Sequence, residues 1–231
     1  MSARNKRGIC AYCGRERKLT KDHVPPRILF SKPCPSNMLT VPACNECNQS
    51  FKANDEYTRA ALAFEVRAAS HRDVIGSLSP MTRSLQRPEA RKFTEYLFSQ
   101  MEPIPVLGVN GNPIQKLKQD VRRIDATGER IVRGLYFIEK GQPLDPGARI
   151  TIASEDDMES VNPLLLDAVQ AYDASTDQRK GSVGAAFSYV AGFQGERSVW
   201  VLMLYGFFFW FALVGEYPME DEPRGCPRES V

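Results

Sequence analysis

Four cysteines form two pairs near the start of the chain, Cys10 with Cys13 and Cys44 with Cys47. Two residues separate the members of each pair, and thirty residues separate the pairs. Two such pairs supply the four thiolates of a closed, tetrahedral structural zinc site. Buried free thiols and a disulfide are the alternatives. We predict structural Zn²⁺, because paired cysteines in a reduced compartment are typical metal ligands.

Between the pairs lie Asp22 and His23, and Asn48 follows the last cysteine directly. Hydrolysis of a phosphodiester needs a base that deprotonates water and a positive charge that stabilises the developing anion. A neutral imidazole suits the first task, and oxygen-ligated Mg²⁺ or Mn²⁺ suits the second. These three residues therefore predict a centre for phosphodiester hydrolysis.

Pro25 and Pro26 exclude a helix just after His23, because proline restricts the preceding residue to extended geometry. Neighbouring residues on a strand point to opposite faces. We therefore expect a turn, enforced by the prolines, that lets Asp22 and His23 act together. Residues 39–41 predict a second short strand.

A helix is predicted from Cys44 onward. It would place Cys44, Cys47 and Asn48 on one face, since they stand at positions i, i+3 and i+4. A metal ion at the cysteines would fix the first turn of this helix, and Asn48 would project from it.

In this order the motifs resemble those of the zinc-containing HNH endonucleases of the ββα-metal group, over about residues 8–58. The resemblance implies that His23 is the general base and that the four cysteines hold Zn²⁺. It implies that Asp22 and Asn48 ligate a catalytic Mg²⁺ or Mn²⁺. It also implies an asparagine that orients the histidine, for which Asn37 is the candidate.

Basic charge is concentrated in the same part of the chain. Residues 1–59 carry 11 lysines and arginines against 5 acidic residues, whereas residues 60–231 carry 19 against 23. A basic segment fits a polyanionic partner. We predict nucleic acid, with DNA favoured, and a solvated basic face is the alternative. The predicted phosphate contacts are Arg15, Arg17, Lys18, Lys21, Arg27, Lys32 and Lys52.

The whole chain predicts an α+β fold, with helices first and a mainly antiparallel sheet afterwards. We predict a zinc-stapled HNH module over residues 1–59 and a larger α+β domain over residues 60–231. The second domain is expected to regulate, to select the target, or to form a homodimer or larger assembly. Residues 173–184 are predicted to be a polar loop, and a helix is predicted to end near His71.

Residues 199–214 are apolar or aromatic except for Gly206. A membrane helix needs about 20 such residues, and aromatic and β-branched side chains favour strands. We predict two buried strands here. The first residues lack the apolar core of a signal peptide, so a cytoplasmic protein without a membrane span is expected. Cys34 and Cys226 are predicted to be free thiols.

Two other functions fit the sequence. One is a non-catalytic zinc ribbon that binds nucleic acid or protein, although such a module does not need the pair Asp22 and His23. The other is a defence system in which residues 60–231 sense a ligand and use the nuclease module as an effector.

Overall fold

The computed structural model describes residues 7–65, 67, 70–107, 113–154 and 158–216. Helices and antiparallel sheets are both present, which confirms the predicted α+β class. The strands are β1 (Arg7–Ile9), β2 (Glu16–Val24), β3 (Leu39–Cys44), β4 (Met101–Leu107), β5 (Pro113–Leu117), β6 (Ile150–Ser154), β7 (Asp177–Val183), β8 (Phe187–Gln194), β9 (Arg197–Leu204) and β10 (Phe208–Val214). The helices are α1 (Asn45–Ser50), α2 (Lys52–Ala63), α3 (Arg72–Leu85), α4 (Arg91–Ser99), α5 (Val121–Lys140) and α6 (Met158–Asp173), with 3₁₀ turns at Arg27–Leu29 and Pro88–Ala90.

The N-terminal sheet has the order β1-β2-β3, and α1 follows β3 directly. Asp22 on β2 pairs with Val41 on β3. The predicted strand at residues 39–41 is longer than expected, since β3 continues through Pro42 to Cys44. Because β3 is an edge strand, the missing N–H of Pro42 costs no hydrogen bond within the sheet.

The C-terminal sheet has the order β6-β10-β9-β8-β7, with every pair antiparallel. The long apolar segment forms β9 and β10, joined by a tight turn in which Tyr205 and Gly206 have φ angles of 56° and 79°. The prediction of two buried strands is therefore confirmed. Within the described part of the chain, no helix has the length and apolar character needed to cross a membrane.

Helix α5 packs between the two sheets. A Cβ on Gly128 would approach Trp210 Cδ1 to 2.7 Å, and one on Gly134 would approach Val24 Cγ2 to 2.5 Å. The two glycines therefore let one helix contact β10 and β2 at short range.

Helix α5 is also bonded to α2. Thr58 Oγ1 lies 2.9 Å from Thr127 Oγ1, and the Asp120 backbone N–H donates to the Tyr57 hydroxyl at 2.6 Å. A single hydrophobic core includes residues from both sides of the predicted boundary after residue 59. Two separate domains remain a prediction.

Two predictions about secondary structure are wrong. The supposed polar loop at residues 173–184 contains β7, an edge strand whose polar side chains face solvent. Helix α2 ends at Ala63, and His71 lies at the start of the next helix, where its Nδ1 accepts from the Asp73 N–H at 3.2 Å. A side chain that accepts a hydrogen bond from the first turn of a helix favours a new helix start at that residue over continuation of the preceding helix.

Candidate metal centre and adjoining cavity

The four paired cysteines converge at the junction of the β1-β2 turn, β3 and α1. Their Sγ atoms all lie within 4.8 Å of one another. Tetrahedral zinc with Zn–S bonds of about 2.3 Å needs sulfur atoms about 3.8 Å apart. The cluster can therefore hold a metal ion such as zinc after a small contraction.

Backbone N–H groups already point at two of these sulfurs. The Cys44 N–H donates to Cys10 Sγ at 3.3 Å, and the Cys47 N–H donates to Cys44 Sγ at 3.5 Å. The first pair is held in a tight turn, where the Gly14 N–H donates to the Cys10 carbonyl and Gly14 has φ of +67°. A side chain at Gly14 would strain this turn.

A bound cation would balance the negative charge of thiolates in this cluster. Burial, together with hydrogen bonding to Cys44 and the charge of Cys10, raises the pKa of the Cys47 thiol. Four thiolates at this separation need a positive ion among them to remain deprotonated. Among the described histidine, cysteine and acidic residues, this is the only group with three or more close ligand atoms.

A cavity of about 320 Å³ adjoins the cluster and brings together Asp22, His23 and Asn48. The three come from β2 and α1, in the strand–strand–helix order described above. The remaining lining residues are Pro26, Arg27, Ile28, Lys52, Asp55, Glu56 and Arg130.

Asp22 and His23 reach this cavity without a turn between them. Both belong to β2, which continues through Val24, so the expected turn at this pair is absent. Asp22 is buried, whereas His23 is half-buried and pairs with Thr40. Burial, and secondarily the positive charge of Arg27, lowers the pKa of His23, which keeps the imidazole neutral near pH 7.

Asn48 is oriented by its neighbour on β2. Its Nδ2 donates to Thr20 Oγ1 at 3.2 Å, and Thr20 Oγ1 donates to the Ala43 carbonyl. The amide nitrogen is thus engaged by the protein, and the amide oxygen keeps its acceptor capacity for a ligand.

Arg130 on α5 is a lining residue that the motifs did not indicate. Its Nη2 donates to both carboxylate oxygens of Asp22 at 2.6 Å, and its Nη1 donates to Asp55 Oδ2. Tyr12 Oη also donates to Asp22 Oδ2, at 2.7 Å. The Arg130 side chain is only 4% exposed. The sequence offered one signal for it: Arg130 stands at helical spacing, i+3 from Thr127 and four residues before Gly134, so the three share one face of the helix.

The donor atoms in this cavity suit a hard divalent cation. Two carboxylates against Arg130 leave a local charge of −1, and Asp55 Oδ1 is buried with no hydrogen-bond partner among the residues that the structure describes. Burial, opposed by Arg130, raises the pKa of Asp55 to about 6. Both oxygens of Asp22 already accept from Arg130, so a cation would share this carboxylate with the guanidinium.

Asn37 is not among the residues that line this cavity. Its Nδ2 donates to the Ser182 carbonyl at 3.0 Å, and its Oδ1 accepts from the Gly184 N–H at 3.0 Å. Asn37 therefore fixes its loop to the β7-β8 turn. We assign no role to it in orienting His23.

The predicted phosphate contacts fall into three groups. Arg27 and Lys52 line the cavity with His23, and Lys32 lines a neighbouring cavity that also includes Arg27. The remaining four are exposed and line none of the cavities described: Arg15, Arg17, Lys18 and Lys21.

Comparisons with models of protein families, with curated proteins and with solved structures found no significant match for this chain. The resemblance to HNH endonucleases therefore rests on the sequence motifs alone.

Proposed function

We propose that this protein is a metal-dependent HNH-type endonuclease that hydrolyses phosphodiester bonds, with DNA as the favoured substrate. One observation carries the proposal: Asp22, His23 and Asn48 line one cavity beside a four-cysteine cluster. That constellation supplies a base and two hard oxygen donors in one place.

In this proposal the His23 imidazole accepts a proton from the attacking water. Asp22 and Asn48 would hold Mg²⁺ or Mn²⁺, which when bound neutralises charge on the phosphate and the leaving oxygen. Arg27 and Lys52, both on the cavity wall, would contact the substrate backbone.

Zn²⁺ at the cysteines would have a positioning role. Cys44 ends β3 and Cys47 lies on α1, so one ion joins the helix to the sheet. This keeps Asn48 on the cavity wall, beside Thr20 of β2. Arg130 would likewise position Asp22, because its two hydrogen bonds fix the plane of the Asp22 carboxylate.

A non-catalytic binding module is the second candidate. It is favoured by one observation, that Arg130 and Tyr12 already supply three hydrogen bonds to Asp22. A carboxylate so engaged is also what a purely structural ion pair would look like.

The test is plasmid cleavage in the presence of Mg²⁺ or Mn²⁺ by wild type and by His23→Ala. Loss of a general base should reduce the rate by about 10²–10⁴-fold. His71→Ala is the matched control, because His71 is the only other histidine and does not line the cavity. Thermal unfolding of both variants would exclude loss of the fold as the cause.

Undiminished cleavage by His23→Ala would contradict the assigned base. An absence of cleavage by folded, zinc-loaded wild type with either cation, on duplex and single-stranded substrates, would favour the binding module.

A further inference from the structure

A second cavity, of about 410 Å³, lies on the other side of the 3₁₀ turn Arg27–Leu29. It shares Arg27 and Ile28 with the cavity that contains His23. The two cavities are therefore neighbours on one surface. We name them the histidine cavity and the basic cavity.

Four cationic side chains line the basic cavity, and none of its described lining residues is acidic. Arg27 and Lys32 come from the segment after β2, Arg59 from α2 and Arg83 from α3. At neutral pH this gives a formal charge of +4 around one small volume. Like charges held together are unfavourable until an anion enters among them.

Arg59 gives an independent indication that an anion fits here. Its Nε is buried and has no hydrogen-bond partner among the described residues. Burial lowers the pKa of Arg59, and Glu56, one turn earlier on the same helix, opposes this shift. A buried donor without an acceptor costs free energy that a bound anion would recover.

The walls of the basic cavity are fixed in place. Asp73 Oδ1 accepts from both the N–H and the hydroxyl of Ser31, at 2.8 and 2.9 Å. Tyr205 Oη donates to the Leu29 carbonyl at 2.6 Å. A Cβ on Gly76 would lie 2.6 Å from Ser31 Cβ, so α3 packs closely against this segment. The nearest acid on α3, Asp73, is thus already engaged.

We propose that the basic cavity binds a backbone phosphate of the nucleic-acid substrate, adjacent to the phosphodiester held in the histidine cavity. The assignment rests on the proposed function, and it adds Arg59 and Arg83 as phosphate-binding residues. Both lie outside the segment that resembles HNH endonucleases. Arg27 lines both the basic cavity and the histidine cavity. It would therefore lie between two consecutive phosphates.

The experiment measures binding separately from cleavage. A short fluorescein-labelled DNA duplex is titrated with full-length His23→Ala protein across a series of salt concentrations. Mg²⁺ and chelators are both omitted, so that neither cleavage nor loss of the cysteine-bound metal intervenes. Arg59→Gln, Arg83→Gln and the double variant are made in this background. Arg122→Gln, an exposed arginine that lines none of the described cavities, is the matched control.

Each lost phosphate contact should weaken binding about tenfold and reduce the slope of log affinity against log salt by about 0.9. The double variant should lose about two units of slope, while Arg59→Lys and Arg122→Gln keep the parental slope. Arg83 is exposed, so its variant provides the test even if Arg59→Gln fails to fold.

Unchanged slopes in both single variants would overturn the phosphate site and leave the endonuclease proposal intact. Binding of millimolar inorganic phosphate that is lost in the variants, without any change in their DNA affinity, would show a small-anion site instead. Retained cleavage in His23→Ala would contradict the assigned base, and the salt slopes would still report on the basic cavity.

Discussion

The histidine cavity and the basic cavity share a wall but differ in charge balance. In the histidine cavity, three acids (Asp22, Asp55 and Glu56) face three cations (Arg27, Lys52 and Arg130). In the basic cavity, four cations face no acid among the described lining residues. In the first, acids and cations are equal in number and Arg130 is paired with two carboxylates, whereas the second gains most from an external anion.

This difference separates groups that support the fold from groups that await a ligand. Arg130 is buried and bonded to two carboxylates, so its removal should affect stability first. Arg59 has a buried nitrogen with no hydrogen-bond partner in the part of the chain that the structure describes, so its removal should affect binding first.

The largest expected effect comes from removing the metal of the cysteine cluster. Purified protein should contain about one Zn²⁺ per chain, and Cys47→Ser should abolish retention of this ion. Binding of structural zinc is worth about 10–16 kcal/mol in small zinc modules, so the variant should lose order around α1 and the histidine cavity. Metal analysis and hydrogen exchange would measure this.

Cys34→Ser is the control for the metal. Cys34 lies outside the four-cysteine cluster and lines the basic cavity, where it accepts from Arg27 Nε at 3.4 Å. It should keep one ion per chain. Full zinc retention in Cys47→Ser would show that the cluster is not a four-thiolate site.

The next effect tests the paired charges directly. Arg130→Leu leaves the Asp22 and Asp55 carboxylates buried without their common partner. Breaking a buried ion pair in this way costs about 3–5 kcal/mol of unfolding free energy. Urea denaturation would measure the loss, with Arg122→Gln on the same helix as the exposed control. A loss within about 0.5 kcal/mol would place Arg130 among ordinary surface charges.

The smallest expected effect is the change in unfolding free energy when Arg59 in the basic cavity is replaced. Arg59→Gln removes one of four like charges and a buried unpaired donor, so its unfolding free energy should remain within about 0.5 kcal/mol of wild type or rise slightly. The same denaturation assay applies. A loss of more than 2 kcal/mol would reveal a structural partner for Arg59 and would remove the contrast between the two cavities.

Local patterns in the sequence predicted several features correctly. The paired cysteines predicted the sulfur cluster, because ligand spacing within a knuckle is a short-range property. Gly206 within an apolar segment predicted two strands, since glycine readily adopts the positive φ angle of the turn. By contrast, the turn expected between Asp22 and His23 is absent, because β2 continues through both residues and both still line one cavity.

Long-range features were missed for a common physical reason. Asn37 was expected to orient His23, yet its side-chain hydrogen bonds go to Ser182 and Gly184, far along the chain. Residues 173–184 looked like a loop because an edge strand can keep polar side chains in water. The hydrogen bonds of Asn37 and the pairing of β7 both involve residues distant in the sequence or at the edge of a sheet. The spacing of residues along the chain therefore does not reveal either feature.

By itself the sequence determined the cysteine cluster, the choice of Asp22, His23 and Asn48, which line one cavity, and the alternation of apolar residues that buries the C-terminal sheet. Only the tertiary structure decided which distant charges meet, namely Arg130 with Asp22 and Asp55, and Arg59 and Arg83 with Arg27. The reason is that metal ligands and strand patterns follow local backbone geometry, whereas a buried ion pair or a basic cavity exists only where separate helices pack together.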